Sequence, residues 1–310
     1  MGNGELARAL NILSIHSHVS YGHVGNSVAV FAMQRLGVEV WPVNTVAFSN
    51  HPGHGGFSGR VMDPGEVASL IEGITKLGAL SRCDGVLSGY LGAPGTGPVM
   101  LAAVKAVRKA NPEAFFCCDP VIGDAGPGLY VRAGLPEFMR DEAVPLADIV
   151  TPNRFELEYL TGQNVSTDAG LLAALAKLHR RGPKIILVTS VATKATPEAS
   201  IDLIASDNRI AHRLRTPRFG REFNGAGDAL AALFLVHYLR TRSVADALAA
   251  SATSVFGIVK RTAQAGSREL LLVEAQDELV CPSERFEVEV LVDRNRRMVP
   301  IGRKNPCAKL

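Results

Sequence analysis

Asn224-Gly225-Ala226-Gly227-Asp228 runs directly into the apolar stretch ALAALFLVHYL, a pattern that predicts a glycine turn feeding the start of a helix. At such a junction the backbone N–H groups of Gly225, Ala226 and Gly227 have no intrahelical acceptors and stand at the positive end of the helix dipole. They form a site for an anion such as a phosphoryl group in transfer. A carboxylate beside an anion site is repulsive unless it takes a proton from the nucleophile, which gives Asp228 a reason to be there as a general base. The pentapeptide alone fits equally well an acidic residue that simply favours the helix dipole.

Further carboxylates sit at other segment ends. Asp119 and Asp124 flank Pro120-Val121-Ile122-Gly123 just after an apolar run, which places them at the carboxyl edge of a sheet, where α/β proteins bind ligands. Asn153 and Glu156 are spaced to share one helical face. Such oxygen-rich groups suit Mg²⁺, which keeps most of its waters and is held through carboxylates and substrate phosphates. In isolation Asn153 also fits a helix N-cap and Glu156 a surface helix charge, whereas Asp119 at the end of a buried strand needs a partner.

Other chemistries find less support. The chain contains no Gly-Lys dipeptide, which excludes a P-loop. Gly92-Ala93-Pro94-Gly95-Thr96-Gly97 lacks the dinucleotide-binding spacing and reads as a turn. His16, His18, His23, His51 and His54 show no metal-ligand spacing and read as loop and pocket packing. Cys117 and Cys118 read as inert core residues. With no Cys-x-x-Cys pair among the five cysteines, neither a zinc site nor a disulfide framework is expected, and a reducing compartment fits.

The elements that must carry these residues alternate along the chain. Apolar runs at 11–16, 38–43, 85–89, 114–121 and 184–190 mostly lack polar alternation and predict strands buried on both faces. Amphipathic segments at 26–36, 64–79, 98–110 and 168–181 predict covering helices, with longer helices from Gly227 to Thr241 and Ser243 to Thr262. This is a doubly wound α/β pattern. Residues 44–62, rich in Gly, His, Ser and Asn, predict a flap or binding loop. With 47% hydrophobic and 20% charged residues, the composition suits one globular domain, taken as residues 1–292. Residues 293–310 read as a basic tail of a kind that is often disordered, with Arg294, Arg296, Arg297, Arg303, Lys304 and Lys309 against Asp293 alone. That excess outweighs the whole chain's formal charge of +3, so it is concentrated in one segment, not spread over a nucleic-acid-binding face. No long apolar run or secretory leader is visible, so no membrane partner is expected.

Taken together, the Asn-x-x-Glu at 153–156 and the Gly-Ala-Gly-Asp at 225–228 resemble the two signatures of the ribokinase-like superfamily. Within it, ILSIHSHVSYGHVGNSVAVFAMQRLGVEVWPVNTVAFSNHPGHGGFSG (12–59), VLSGYLG (86–92), CDPVIGD (118–124) and PLADIVTPNRFELEYLTG (145–162) are similar, in order, to the pyridoxal kinases. The resemblance spans roughly residues 11–265 and implies a three-layer α/β/α fold with a mostly parallel sheet. It further implies ATP-dependent phosphorylation of the 5′-hydroxymethyl group of pyridoxal, and of related vitamers, in vitamin B6 salvage. By the same resemblance Ser17 binds the pyridine nitrogen, Val24, Phe48 and Tyr90 wall the ring, and Asp228 deprotonates the 5′-hydroxyl. Asp119, Asp124, Asn153 and Glu156 organise the phosphates and Mg²⁺, with Asp119 and Glu156 as the metal residues. Thr189 and Ser190 lie near the nucleotide, and Tyr130 lies on the loop that covers it. K⁺ as a second cation and a homodimer are also implied.

Two positions depart from the family pattern. Ala226 stands where threonine is frequent and keeps the backbone N–H. Pro52 follows Ser49-Asn50-His51 where threonine is common, and removes a hydroxyl and an N–H from a position expected to contact the ring's 3-oxygen. Alternatives are a hydroxymethylpyrimidine kinase or a sugar kinase on the same fold, and a non-catalytic pyridoxal-binding protein, against which an unpaired Asp228 argues. The expected location is the cytoplasm. Ala308-Lys309-Leu310 resembles a peroxisome-type address as an alternative.

Overall fold

A computed structural model describes residues 8–293. Ten strands form one sheet in the order β12-β11-β10-β9-β8-β5-β4-β1-β2-β3. At its centre β2 (Glu39–Phe48), β1 (Asn11–Val19), β4 (Gly85–Ser88), β5 (Phe115–Cys118), β8 (Ile149–Val150) and β9 (Ile185–Val191) run parallel. Antiparallel strands extend both edges. β3 (Gly59–Val61) pairs with β2, while β10 (Ser200–Ser206), β11 (Ile210–Pro217) and β12 (Val288–Asp293) follow β9. A separate small ribbon pairs β6 (Gly123–Asp124) with β7 (Gly128–Leu129).

The unbroken apolar runs are explained by two cores. Leu13, Ile15, Val86, Phe116 and Ile186 face one layer of helices, Pro64–Lys76, Thr96–Ala110, Arg154–Thr161 and Asp168–His179. Their neighbours Ile12, Leu87, Cys117, Ile149 and Ile185 face the other, formed by Asn26–Arg35, Ala226–Thr241 and Val244–Gln264. Each strand therefore needs apolar residues at successive positions, as a sheet covered on both faces requires. The result is the expected three-layer α/β arrangement.

The edge strands were not expected. β10 and β11 carry Asp202, Arg213 and Arg215, which form a buried ion network, with Arg215 Nε 2.6 Å from Asp202. Their polarity hides the strands from a search for apolar runs. β12 lies in the last part of the chain, and its final residue Asp293 pairs with Ile210, so the boundary expected after residue 292 falls inside a strand. Residues 294–310, including the rest of the basic tail, lie outside the described residues. Among the described residues no helix is long and apolar enough to cross a membrane. Cys83, Cys117, Cys118 and Cys281 are free, and burial pushes the Cys118 thiol up to about 12, which fits the inert-core reading.

Candidate active site

The carboxyl ends of the parallel strands and the start of the helix Ala226–Thr241 meet at one place. Gly225 caps that helix with φ 86°, a left-handed conformation that favours glycine. A Cβ there would also lie 1.9 Å from the carbonyl oxygen of His23, so no other residue fits the turn without a shift. The Ala226 N–H donates to the Phe223 carbonyl at 3.2 Å, whereas the amides of Gly225 and Gly227 have no acceptor among the described residues. Of the three expected anion-binding amides, the structure therefore leaves two uncommitted.

Asp228, in the first turn, is not the unpaired carboxylate expected. Its Oδ2 accepts the Gly25 N–H at 2.6 Å, and its Oδ1 lies 3.2 Å from Nε2 of His16. Burial pushes this carboxyl up, but His16, the Gly25 amide and His51 more than offset that, and it rests below the usual carboxylate range. Both partners lie more than 200 residues earlier in the chain, and local sequence carries no sign of them. His16 likewise corrects its reading as packing. It is buried, its ligating nitrogen lies within 4.8 Å of carboxylate oxygens of Asp119 and Asp228, and it is raised on balance, burial pulling it down and Asp228 and Asp119 pulling it up. The missed signal was a histidine in the buried run of a central strand.

Asp119 follows β5, is buried, and accepts the Thr151 hydroxyl at 3.0 Å. Burial, followed by Glu156 and Asp228, holds it well above its ordinary range. Glu156 is buried, not a surface charge. It forms a reciprocal capping box with Asn153, donating its N–H to Asn153 Oδ1 at 2.8 Å and accepting the Asn153 N–H at 2.9 Å. Its other oxygen accepts the Ile122 N–H at 3.0 Å. Burial nevertheless pushes Glu156 up to about 8, with the amides of Ile122, Asn153 and Gly123 pulling the other way. Asn153 also donates to the Gly123 carbonyl at 2.8 Å, tying the ribbon that carries Asp124 to this helix start. Asp124 accepts the Ala125 N–H at 2.6 Å, and Tyr130, half exposed, follows β7.

Thr189 and Ser190 lie near the end of β9, next to this group. Thr189 bridges Asn153, and its N–H donates to the Pro152 carbonyl at 3.0 Å. Between the pairs Asp202–Val191 and Ile204–Val188 the register slips, so Thr189 and Ser190 together face a single residue of β10. Ser190 has φ 56°, a strained setting for a side-chain-bearing residue and of the sort found at functional edges.

The residues expected to wall the ring also come together. Val24 and Phe48 are buried in one small cluster with Val19 and Val46, and Tyr90 and Val61 pack against it. The Ser17 hydroxyl lies 3.2 Å from Nδ1 of His16. Over the cluster, Phe57 of the flap packs on Phe48 with ring centroids 4.4 Å apart. Pro52 does not join it. Pro52 is exposed and opens a short 3₁₀ turn, Pro52–His54, whose start is held by His51 Nδ1 accepting the Gly53 N–H at 3.2 Å. Proline is well suited to that first position, since its missing N–H would have no partner there. The flap is clasped at its other end by contact between His54 and Glu269.

A cavity of about 290 Å³ that the sequence did not reveal is lined by Phe219, Phe256, Lys260 and Phe286. Phe219 meets Phe223 edge-on at 6.0 Å, and Phe223 holds the Ala226 amide, so this aromatic cavity adjoins the anion turn. A flat heterocycle fits such walls.

Comparison with known proteins bears on this geometry. Residues 90–272 match the family model described as phosphomethylpyrimidine kinase. The chain is 53% identical over 285 residues to pyridoxal kinase PdxY of Granulibacter bethesdensis, covering 91% of this chain and all of that one. It is 53% identical over 280 residues to pyridoxal kinase PdxY of Rubrobacter xylanophilus, covering 90% and 97%. Among solved structures, Leishmania donovani pyridoxal kinase in complex with ADP and pyridoxamine superposes with TM-score 0.84 at 29% identity, covering 90% of this chain and 99% of that one.

Proposed function

The chain belongs to the pyridoxal kinases, and from that premise we propose that it transfers the γ-phosphoryl group of ATP to the 5′-hydroxymethyl oxygen of pyridoxal, with Asp228 as the base. The observation that carries this reading is the position of Asp228, a carboxylate held below its ordinary range in the first turn of a helix at whose entry the Gly225 and Gly227 amides have no acceptor among the described residues. The 5′-hydroxyl gives its proton to Asp228 while its oxygen attacks the γ-phosphorus, and the bond to the β–γ bridging oxygen breaks to release ADP. The amides of Gly225 and Gly227 receive the phosphoryl oxygens in flight, with Ala226 joining once its bond to Phe223 yields.

Val24, Phe48 and Tyr90 hold the pyridine ring and Ser17 meets its nitrogen. The adenine occupies the cavity at Phe219 and Phe256, with Thr189, Ser190, Asp124 and Tyr130 along the nucleotide and Asn153 fixing that edge. The donor set fits Mg²⁺, because hard oxygen ligands suit it and Asp119 and Glu156 are buried acids in need of a counter-charge. Asp119 and Glu156 would hold it, largely through water, and it would neutralise phosphate charge. K⁺ and a homodimer belong to this reading by family resemblance. A cytoplasmic location is supported by the free cysteines. The peroxisome-type address lies outside the described residues.

A pyrimidine substrate is the second reading, favoured by the family model that matches residues 90–272. Ser17, Val24 and Phe48 lie outside that match, and two relatives 53% identical over 90–91% of the chain are pyridoxal kinases. ADP release from MgATP with pyridoxal, pyridoxine, pyridoxamine, 4-amino-5-hydroxymethyl-2-methylpyrimidine and a sugar decides between them. Pyridoxal is expected to give the highest kcat/KM. A higher value for the pyrimidine overturns the proposal.

A further inference from the structure

Resting on the reading of Asp228 as the base, we propose that His16 is a positioning residue that fixes the Asp228 carboxylate for proton transfer. His16 lies within β1, three residues before its end, with only 2% of its surface exposed. Its Nδ1 accepts the Ser17 N–H at 2.8 Å, which places the ring hydrogen on Nε2. That nitrogen is the one 3.2 Å from Asp228 Oδ1. Since Gly25 donates to Oδ2 at 2.6 Å, each oxygen of the carboxylate faces a donor from the single stretch between residues 16 and 25.

The room for the ring is itself built. A Cβ at residue 89, at the end of β4, would lie 1.9 Å from His16 Nε2, so Gly89 admits the imidazole where any side chain would displace it. The approach of Nε2 to Asp228 is close but off the hydrogen-bond line, and among the described residues this buried nitrogen has no aligned partner. A buried polar atom is rarely left so, and catalytic contacts that are misaligned in a free protein commonly tighten when substrate binds. A purely structural histidine would instead be satisfied by backbone or by another side chain away from the reacting group.

The test is a double-mutant cycle on the full chain with MgATP and pyridoxal. His16→Leu is expected to lower kcat by about ten- to a hundredfold, with KM for both substrates changed by less than about threefold, and His16→Gln, whose amide N–H reaches the same carboxylate, to recover much of it. In an Asp228→Asn background His16→Leu is expected to cost nothing further, because it acts through the carboxylate already removed. Gly89→Ala keeps the imidazole but displaces it, and is expected to reproduce the kcat loss should the leucine variant fail to fold. An unchanged kcat in a folded leucine or Gly89→Ala variant, or a full His16 effect persisting in the Asp228→Asn background, overturns the proposal. An Asp228→Asn variant that keeps near-wild-type kcat overturns the base assignment instead, so the two failures are distinguishable.

Discussion

Asp119 and Asp228 approach the same buried histidine, with ligating atoms of all three groups within 4.8 Å of one another, yet they hold their protons oppositely. Asp228 rests below the usual carboxylate range and Asp119 well above it. Two neighbouring carboxylates pushed apart in this way support the proposed assignment, in which Asp228 is the member that accepts a proton.

The raised carboxyls set the pH dependence of stability. Glu156, pushed up to about 8, and Asp119, held well above its ordinary range by burial, bind protons in the folded protein where the unfolded chain has released them. Folding then takes up protons, and stability falls as pH rises from about 4 through about 8. Asp228, being depressed, acts in the opposite sense, and its contribution is lost only in acid. Urea denaturation in chelator between about pH 5 and about pH 8 is expected to show the decline, and Glu156→Gln to flatten it. A wild-type stability that rises over this range contradicts the assignment.

Asp119 and Glu156 differ in what they can offer a cation. Both Glu156 oxygens already accept backbone amides, whereas Asp119 accepts one hydroxyl. Asp119→Asn should therefore raise the Mg²⁺ concentration for half-maximal rate more than Glu156→Gln does. Equal magnesium titrations in wild type and Asp119→Asn would remove Asp119 from the site.

The clasp between His54 and Glu269 holds the flap over the ring cluster. Glu269→Gln weakens this contact by removing the carboxylate and is expected to raise KM for pyridoxal by about two- to tenfold, with kcat nearly unchanged. A change confined to kcat would mean that the clasp serves the chemistry and not the closure.

Pro52 opens the flap's turn with no donor to give. Pro52 is exposed and outside the ring cluster, so the hydroxyl and N–H that Pro52→Thr supplies are expected to change KM for pyridoxal by less than about twofold. A KM lowered by about two- to tenfold would mean that residue 52 reaches the ring.

The parallel centre of the fold was legible because strands covered on both faces must be apolar at every position, and the glycine turn because only that spacing feeds a helix with free amides. The antiparallel edge was not, since Asp202, Arg213 and Arg215 satisfy one another across strands and break the apolar pattern. Val24, Phe48 and Tyr90, which the family resemblance singled out, lie in one cluster. What escaped were relations between distant segments: the Gly25 amide and His16 on Asp228, Gly89 beneath the imidazole, and the Phe219–Phe256 cavity. Ser190 showed no local mark of its left-handed backbone, because the bulge that imposes it depends on its pairing with β10.

The most direct measurement is steady-state turnover of pyridoxal with MgATP by Asp228→Asn, alongside the variant's affinity for pyridoxal. Loss of the proposed base is expected to lower kcat by about 10²–10⁴-fold while pyridoxal binding stays within about threefold of wild type, since the proposal assigns the ring to Val24, Phe48 and Tyr90. A variant that keeps more than about a tenth of wild-type kcat would contradict the account, because Asp228 would then not be the group that takes the proton.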